Sequence, residues 1–275
     1  MSYPYTIYGT AKDALTVYDD KIHPYGTRMV LPDGRVFRFS KNSGTAVFPG
    51  RLCAKPDADA VSTGAWYLDT ASTAGSTSII FHTSEGTSGV IAKNEYADGY
   101  MWLRSASVTG RTEVHQILQH ASSTDAGDAC TGCTFHLYQD DVIVNAIGTT
   151  EYFSLQHNPY SGIVVQGIAI TTVSMGVAIN YVAANKYFWL QTWGPCPMLK
   201  SIEATLIDGE TVVGSSYAGT TGAVEDDQIV TAQSWGSFTA TGAEVSGAWR
   251  MKVGVAMSPA LDTTDYALVF LTLAP

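Results

Sequence analysis

Cys130-Thr131-Gly132-Cys133 is the first place to look for chemistry in this 275-residue chain. Two thiols three positions apart can close a local disulfide, supply half of a tetrahedral zinc site, or form a redox pair at the start of a helix. His120 and His136 lie near enough in sequence to complete a zinc set, but neither has zinc-finger spacing. No α/β unit surrounds the motif, as a redox pair would require. The leading reading is a pair of packing or turn cysteines, a local disulfide among the forms this can take, with a metal site and a redox pair as competitors. Cys53 and Cys196 stand alone and read as small buried hydrophobes.

The remaining candidates are weaker. Histidines occur at His23, His82, His115, His120, His136 and His157, with no HExxH among them. His115 and His120 are five apart, a spacing that shares neither a helix face nor a strand face. Gly214-Ser215-Ser216-Tyr217-Ala218 fails the GxSxG pattern at its last position, and no phosphate-binding glycine loop is present. Asp140-Asp141 and Glu225-Asp226-Asp227 lack the spacing of a calcium loop, and neighbours on a strand point to opposite faces. They read as solvated turns, while Trp102 and Trp189 sit mid-strand and read as core. No set of residues divides into acid, base and nucleophile. An enzyme is not expected, and no catalytic residue, cofactor or metal is assigned.

The elements that would position these groups are strands. Short runs rich in Val, Ile, Thr, Tyr and Trp at 77–83, 142–147, 162–173 and 266–273 are bounded by Gly, Asn and Asp. Residues 112–121 fit a helix or a strand, and their surroundings favour strand. Met29 to Phe37 reads as a hairpin around Pro32-Asp33-Gly34, where Pro presets φ and Gly accepts a positive one. The fold class expected is all-β: a hairpin-rich barrel or sandwich body with an extended N-terminal arm.

A repeat supports that expectation. Gly89-Val90-Ile91-Ala92 leads to Tyr100-Met101-Trp102-Leu103, and Gly176-Val177-Ala178-Ile179 leads at the same spacing to Tyr187-Phe188-Trp189-Leu190. A looser copy joins Gly254-Val255-Ala256-Met257 to Tyr266-Ala267-Leu268-Val269. Each reads as strand, turn, strand. The domains expected are a basic arm and hairpin at 1–56, a β body with two repeated hairpins at 57–200, and a C-terminal β region at 201–275. The second break is placed after the Trp193-Gly194-Pro195-Cys196-Pro197 punctuation.

Composition narrows the function. The chain is 45% hydrophobic and only 15% charged, with a net charge of −10. Disorder is excluded by the aromatic and β-branched content. Nucleic-acid binding is disfavoured by the acidity. No apolar run is long enough for a membrane span, and the first ten residues lack a signal pattern. The charge is uneven: residues 21–55 carry seven Lys or Arg against one Asp, net +6, while everything from Pro56 onward sums to −14. A basic limb docking on an acidic partner is one reading of this, and a solvated face is the other.

Several runs resemble structural proteins of marine tailed bacteriophages, encoded near the major capsid protein. They are Tyr25-Gly26-Thr27-Arg28, Leu31 to Phe39, Gly44-Thr45-Ala46, Pro49 to Leu52, Asn185 to Pro195, and Gly254-Val255-Ala256 through the strand after Tyr266. These are turn and strand signatures covering about half the chain, and the stretch 105–134 with its CxxC has no counterpart. The resemblance implies a capsid decoration or cement protein. Such a protein would be made in the host cytoplasm and sit on the capsid exterior, bridging major capsid protein subunits as a trimer or other homo-oligomer. The capsid-facing residues would be Arg28, Arg35, Arg38, Lys41 and Arg51. Two competitors belong to other classes. One is a receptor- or carbohydrate-binding β module of a head fibre or tail. The other is a polysaccharide hydrolase using Asp140, Asp141 or Glu151.

Overall fold

The structure is a computed structural model that describes residues 6–56, 65–83, 91–103, 112–122, 133–138, 140–167, 172–201, 206–215, 221–226, 251–258 and 266–275. It is nearly all β, as the sequence predicts. Two compact units are present: a barrel within residues 57–159, and a sheet unit made of residues 4–56 and 160–275. The barrel is thus inserted into the sequence of the sheet unit.

The sheet unit opens with β1 (Thr6–Tyr8) and the short helix α1 (Ala11–Leu15). A Thr10/Asp13 capping box starts this helix, with Thr10 and Asp13 each closing on the other's backbone. β2 (Arg28–Val30) and β3 (Val36–Lys41) form the expected hairpin. Gly34 takes φ +84°, its N–H donates to the Leu31 carbonyl at 3.0 Å, and the Asp33 carboxylate accepts from the Arg35 N–H. β4 (Arg51–Ala54) follows.

The chain then builds the barrel from β5 (Trp66–Leu68), β6 (Ser78–Thr83), β7 (Tyr100–Leu103), β8 (Val114–His120), β9 (Cys133–Leu137) and β10 (Tyr152–Gln156). Strand order is β10-β5-β6-β9-β8-β7, closed and antiparallel throughout. Closure removes sheet edges. Inward positions alternate with outward ones, and Trp66, Phe81, Phe135 and Phe153 meet at the centre with ring centroids 5.3–6.2 Å apart.

Returning to the sheet unit, the chain adds β11 (Val164–Val165), β12 (Ser174–Ala178), β13 (Tyr187–Leu199), β14 (Thr211–Gly214), β15 (Val224–Asp226), β16 (Lys252–Ala256) and β17 (Tyr266–Thr272). The main path is β1-β2-β3-β13-β17-β16-β14-β15, with β12, β4 and β11 branching from β13. Phe37, Phe39, Trp189 and Met29 form one core beside α1, and Leu52, Cys196, Met198, Val212 and Leu271 belong to another. Burial pushes the Cys53 and Cys196 thiols up to about 12, so both stay protonated and unreactive while folded.

Four expectations change. The segment 6–56 is not an extended arm: β3 lies against the longest strand, β13, and Phe37 and Phe39 are fully buried. The basic run therefore carries core residues between its charges. No unit boundary falls near 199–207, and residues 160–200 belong with the N-terminal strands instead of the barrel. The Gly194-Pro195-Cys196-Pro197 punctuation lies inside β13, because β17 holds it through seven pairs from Trp193–Thr272 to Leu199–Tyr266. The Gln191 side-chain amide also donates to the Trp193, Gly194 and Pro195 carbonyls. Residues 142–147 are not a strand but a segment bridging to Ser72 through Ile147.

The repeat has a local cause. In the second and third copies the two strands are antiparallel neighbours, β12 with β13 and β16 with β17. In the first copy, Gly89 and Val90 lie outside the described residues, and Ile91 and Ala92 are not in a strand, so the expected strand-turn-strand does not hold there. Its Tyr100 to Leu103 strand pairs with β8 and β10. Asp98 and Asn185 occupy equivalent positions before Tyr100 and Tyr187, and both are left-handed, at φ +63° and +62°. Trp189 is core as expected, whereas Trp102 is half-buried on the outward side of the barrel.

Candidate functional site

Two features qualify as sites: a buried polar cluster in the barrel and an apolar ribbon on the sheet unit. The cluster starts from alternation along β8. Glu113, His115 and Ile117 point inward, as period two requires. A register shift between Ile117 and Gln119 then inserts one residue, so His120 also turns inward. His115 and His120 therefore share the barrel interior, each 2% exposed. The bulge overturns the sequence argument from their spacing.

His115 sits between two carboxylates. Its Nδ1 lies 2.7 Å from Asp141 Oδ1 and its Nε2 lies 3.2 Å from Glu113 Oε2. Asp141 also accepts from the Gln116 N–H at 2.8 Å, and Glu113 accepts from the Val144 N–H and the Asn145 side chain. Burial works against ionisation of Glu113, but the Asn145, Val144 and His115 hydrogen bonds outweigh it and hold the carboxyl below its usual range. Asp141, read from sequence as part of a solvated pair, is thus tied into the barrel, while Asp140 is exposed. The signal available in the sequence was Glu113-Val114-His115, two ionisable residues on one strand face.

His120 is differently engaged. Its Nε2 accepts from the Tyr96 N–H at 2.9 Å, so Nδ1 carries the proton and donates to the Ala121 carbonyl. The ring stacks on Phe135 at 4.6 Å, and burial lowers its proton affinity. With both nitrogens committed it has no lone pair for zinc. Cys133 is disulfide-bonded, His136 is exposed, and Cys130 lies outside the described residues. Among the described residues no group of three or more His, Cys, Asp or Glu side chains is placed to hold a metal ion. Glu151, the third carboxylate of the hydrolase alternative, is buried and accepts from the Gly148 N–H.

The five residues assigned to capsid contact are dispersed. Arg28 and Arg38 are register partners on β2 and β3. Arg38 donates to the Gly26 and Pro275 carbonyls, and Arg35 pairs with Asp33 at 2.7 Å. Lys41 lies over the Tyr187 ring, and Arg51 donates to the Thr221 carbonyl. The Arg28 side chain makes no hydrogen bond or ion pair among the described residues. Much of the positive charge of this segment is therefore spent inside the fold.

The ribbon was missed because its members are far apart in sequence. Tyr181 and Phe48, 54% and 56% exposed, meet edge to face at 5.4 Å. The Tyr266 hydroxyl donates to the Pro49 carbonyl, and its ring covers Gly50. From there one face of β13 and β17 carries Leu199, Tyr266, Pro197, Leu268, Pro195, Phe270 and Trp193 as cross-strand neighbours. None of these side chains is charged. Tyr266, Pro197 and Leu268 are exposed and the others half-buried, and apolar side chains grouped in this way mark a candidate contact site.

Comparison with protein-family models, with curated proteins and with solved structures gives no match. The functional reading therefore rests on the chain's own residues. Among the described residues no helix is long and apolar enough to cross a membrane.

Proposed function

We propose that the chain is a virion structural protein, a decoration or cement protein that docks on a phage head and stabilises contacts between major capsid protein subunits. The observation that carries the reading is the uncharged ribbon from Tyr181 through Phe48, Tyr266 and Leu268 to Trp193. A docking surface of this kind gains affinity from a few aromatic and aliphatic anchors that lose water together. Charge supports the same polarity: residues 57–159 carry 3 Lys or Arg against 12 Asp or Glu, while the sheet unit carries 12 against 13. A nearly neutral sheet unit suits contact with a protein shell, and an acidic barrel suits exposure to solvent. Arg28 and Lys41 fall on opposite faces of the β2–β3 pair, so they would act through long-range attraction and not as contacts on the ribbon.

Cosedimentation with undecorated heads tests this. Tyr266→Glu combined with Leu268→Glu is expected to weaken binding at least ~10-fold, and Arg28→Glu with Lys41→Glu to act mainly through the association rate. Undiminished binding by the ribbon variant overturns the assignment. Copy number in purified particles adds a second check. On the order of hundreds per head fits cement, whereas about a dozen fits a vertex or tail role.

The Phe48–Tyr181 pair favours one second reading. Exposed aromatics on neighbouring turns are what a carbohydrate- or receptor-binding module requires. Glycan binding by the isolated protein, abolished in Phe48→Ala, would favour that reading over cement.

A further inference from the structure

The buried cluster does more than fill the barrel. Residues 141–147 lie across one end of it. Ile143 and Ile147 are 0% and 1% exposed within the barrel core, so the segment plugs the interior. One border of the segment is held by backbone bonds: the Ile143 N–H to the Ser76 carbonyl, the Gly75 N–H to the Ile143 carbonyl, and a mutual pair between Ser72 and Ile147. Toward β8 the segment is tied through ionisable side chains, beside a turn that the Asp141 N–H closes on the Tyr138 carbonyl. Asp141 reaches His115 and the Gln116 N–H, and Glu113 reaches the Val144 N–H and Asn145.

We propose that residues 141–147 are a proton-controlled clasp on the barrel end, closed most tightly when the His115 ring carries both its protons between Asp141 and Glu113. The argument is stereochemical. A ring with carboxylate oxygens opposite both nitrogens satisfies both contacts only as the imidazolium. When one proton leaves, a ring lone pair faces a carboxylate oxygen. The 3.2 Å contact to Glu113 is the longer of the two, so Nε2 is the nitrogen that releases its proton. Repulsion then falls on the carboxylate that holds Val144 and Asn145. Met101, the register partner of His115 on β7, and Phe153 of β10, whose ring lies 6.4 Å away, bring no charge. Among the described residues, the Glu113 and Asp141 carboxyl groups are the acidic groups that face the ring. At the acid extreme the clasp loosens again as Glu113 takes up a proton, which it does below the usual carboxylate range. Protection is therefore greatest in an intermediate window and falls on both sides.

One substitution isolates the alkaline side. In Asp141→Asn the side-chain oxygen still accepts from the Gln116 N–H, while the amide N–H₂ donates to Nδ1. A neutral ring, protonated at Nε2, then satisfies both contacts. The experiment follows the His115 ring by ¹⁵N NMR and the Ile143, Val144 and Ile147 amides by hydrogen exchange, from about pH 5 to 9, as protection factors corrected for intrinsic rates. Wild-type protection is expected to fall roughly 10-fold as the ring loses its proton. The Asp141→Asn protein is expected to keep its protection over the same range. A wild-type ring that holds one protonation state throughout overturns the proposal. So does wild-type protection that ignores the titration, or a variant that responds as the wild type does. His115→Gln offers the same test without a titrating ring, and retention of the alkaline loss there is equally decisive.

Discussion

The barrel and the sheet unit bury different kinds of polar group. Among the described residues, the buried carboxylates and the fully buried histidines are all in the barrel: Asp98, Glu113, His115, His120 and Glu151. The sheet unit buries neutral amides and hydroxyls such as Asn42, Gln191 and Thr192, with Lys200 as its buried charge. Asn42 shows the style, its one amide nitrogen donating to the Thr45, Val182 and Ala183 carbonyls. Neutral amides stitch a sheet together at any pH, whereas ionisable groups make a fold answer to its solvent. The barrel is thus the more pH-responsive of the two units.

Removing a central ring gives the largest test of that contrast. Trp66→Ala deletes the aromatic centre of the barrel and is expected to cost ~3–5 kcal/mol. The loss should appear in the exchange protection of β5 to β10, while β2, β3 and β13 keep theirs. Equal losses in both sets would show that the units unfold as one and would break the comparison.

The shared left-handed turn gives a smaller and sharper test. Asn185→Gly is expected to change stability by less than about 1 kcal/mol, since glycine takes this φ without strain. Asp98→Gly also removes the acceptor 2.6 Å from the Tyr138 hydroxyl, at a cost of ~1–3 kcal/mol. Chemical denaturation of the two variants separates a turn residue from a turn residue with a second duty.

The gentlest test is acidification. Burial lowers the proton affinity of the folded His120 ring, so below about pH 6.5 the unfolded chain binds a proton that the fold refuses, and stability falls. Ionised Glu113 adds stability that is present above its unfolded value and is lost as pH drops through its lower folded one. Both act in the same direction. His23 of the sheet unit, partly buried against Phe39 and Trp189, shares the sign for histidine but has no carboxylate beside it. Below the window in which the clasp is tightest, region-resolved exchange should show β8 weakening before β13 as pH falls toward about 4. The reverse order would contradict the contrast.

What could be read from sequence was local. Pro32-Asp33-Gly34 encodes its hairpin in neighbouring residues, and the repeat correctly marked a turn with a left-handed Asp98 or Asn185. The capping box at Thr10 and Asp13 carried an equally local signal that the strand reading passed over. Failures came where one position changes everything downstream. A single extra residue in β8 brings His120 to the face of His115, and strict alternation cannot foresee it. Prolines within β13 looked like an ending because pairing with β17, more than sixty positions later, decides the matter. Asp141 reaches His115 across 26 positions, and the ribbon joins Phe48 to Tyr181 and Tyr266. Neither leaves a periodic trace.

The insertion of one unit within the other also sets a schedule for synthesis. The β3 strand leaves the ribosome with its hydrogen-bonding partner β13 still roughly 150 residues away, a wait on the order of 10–30 s at ordinary elongation rates. During that interval the barrel can close by itself, while Phe37 and Phe39 stay wet and adhesive. The nascent chain is most vulnerable to stray association in its first fifty residues, and a chaperone that shields them until Trp189 emerges would raise the yield of folded protein.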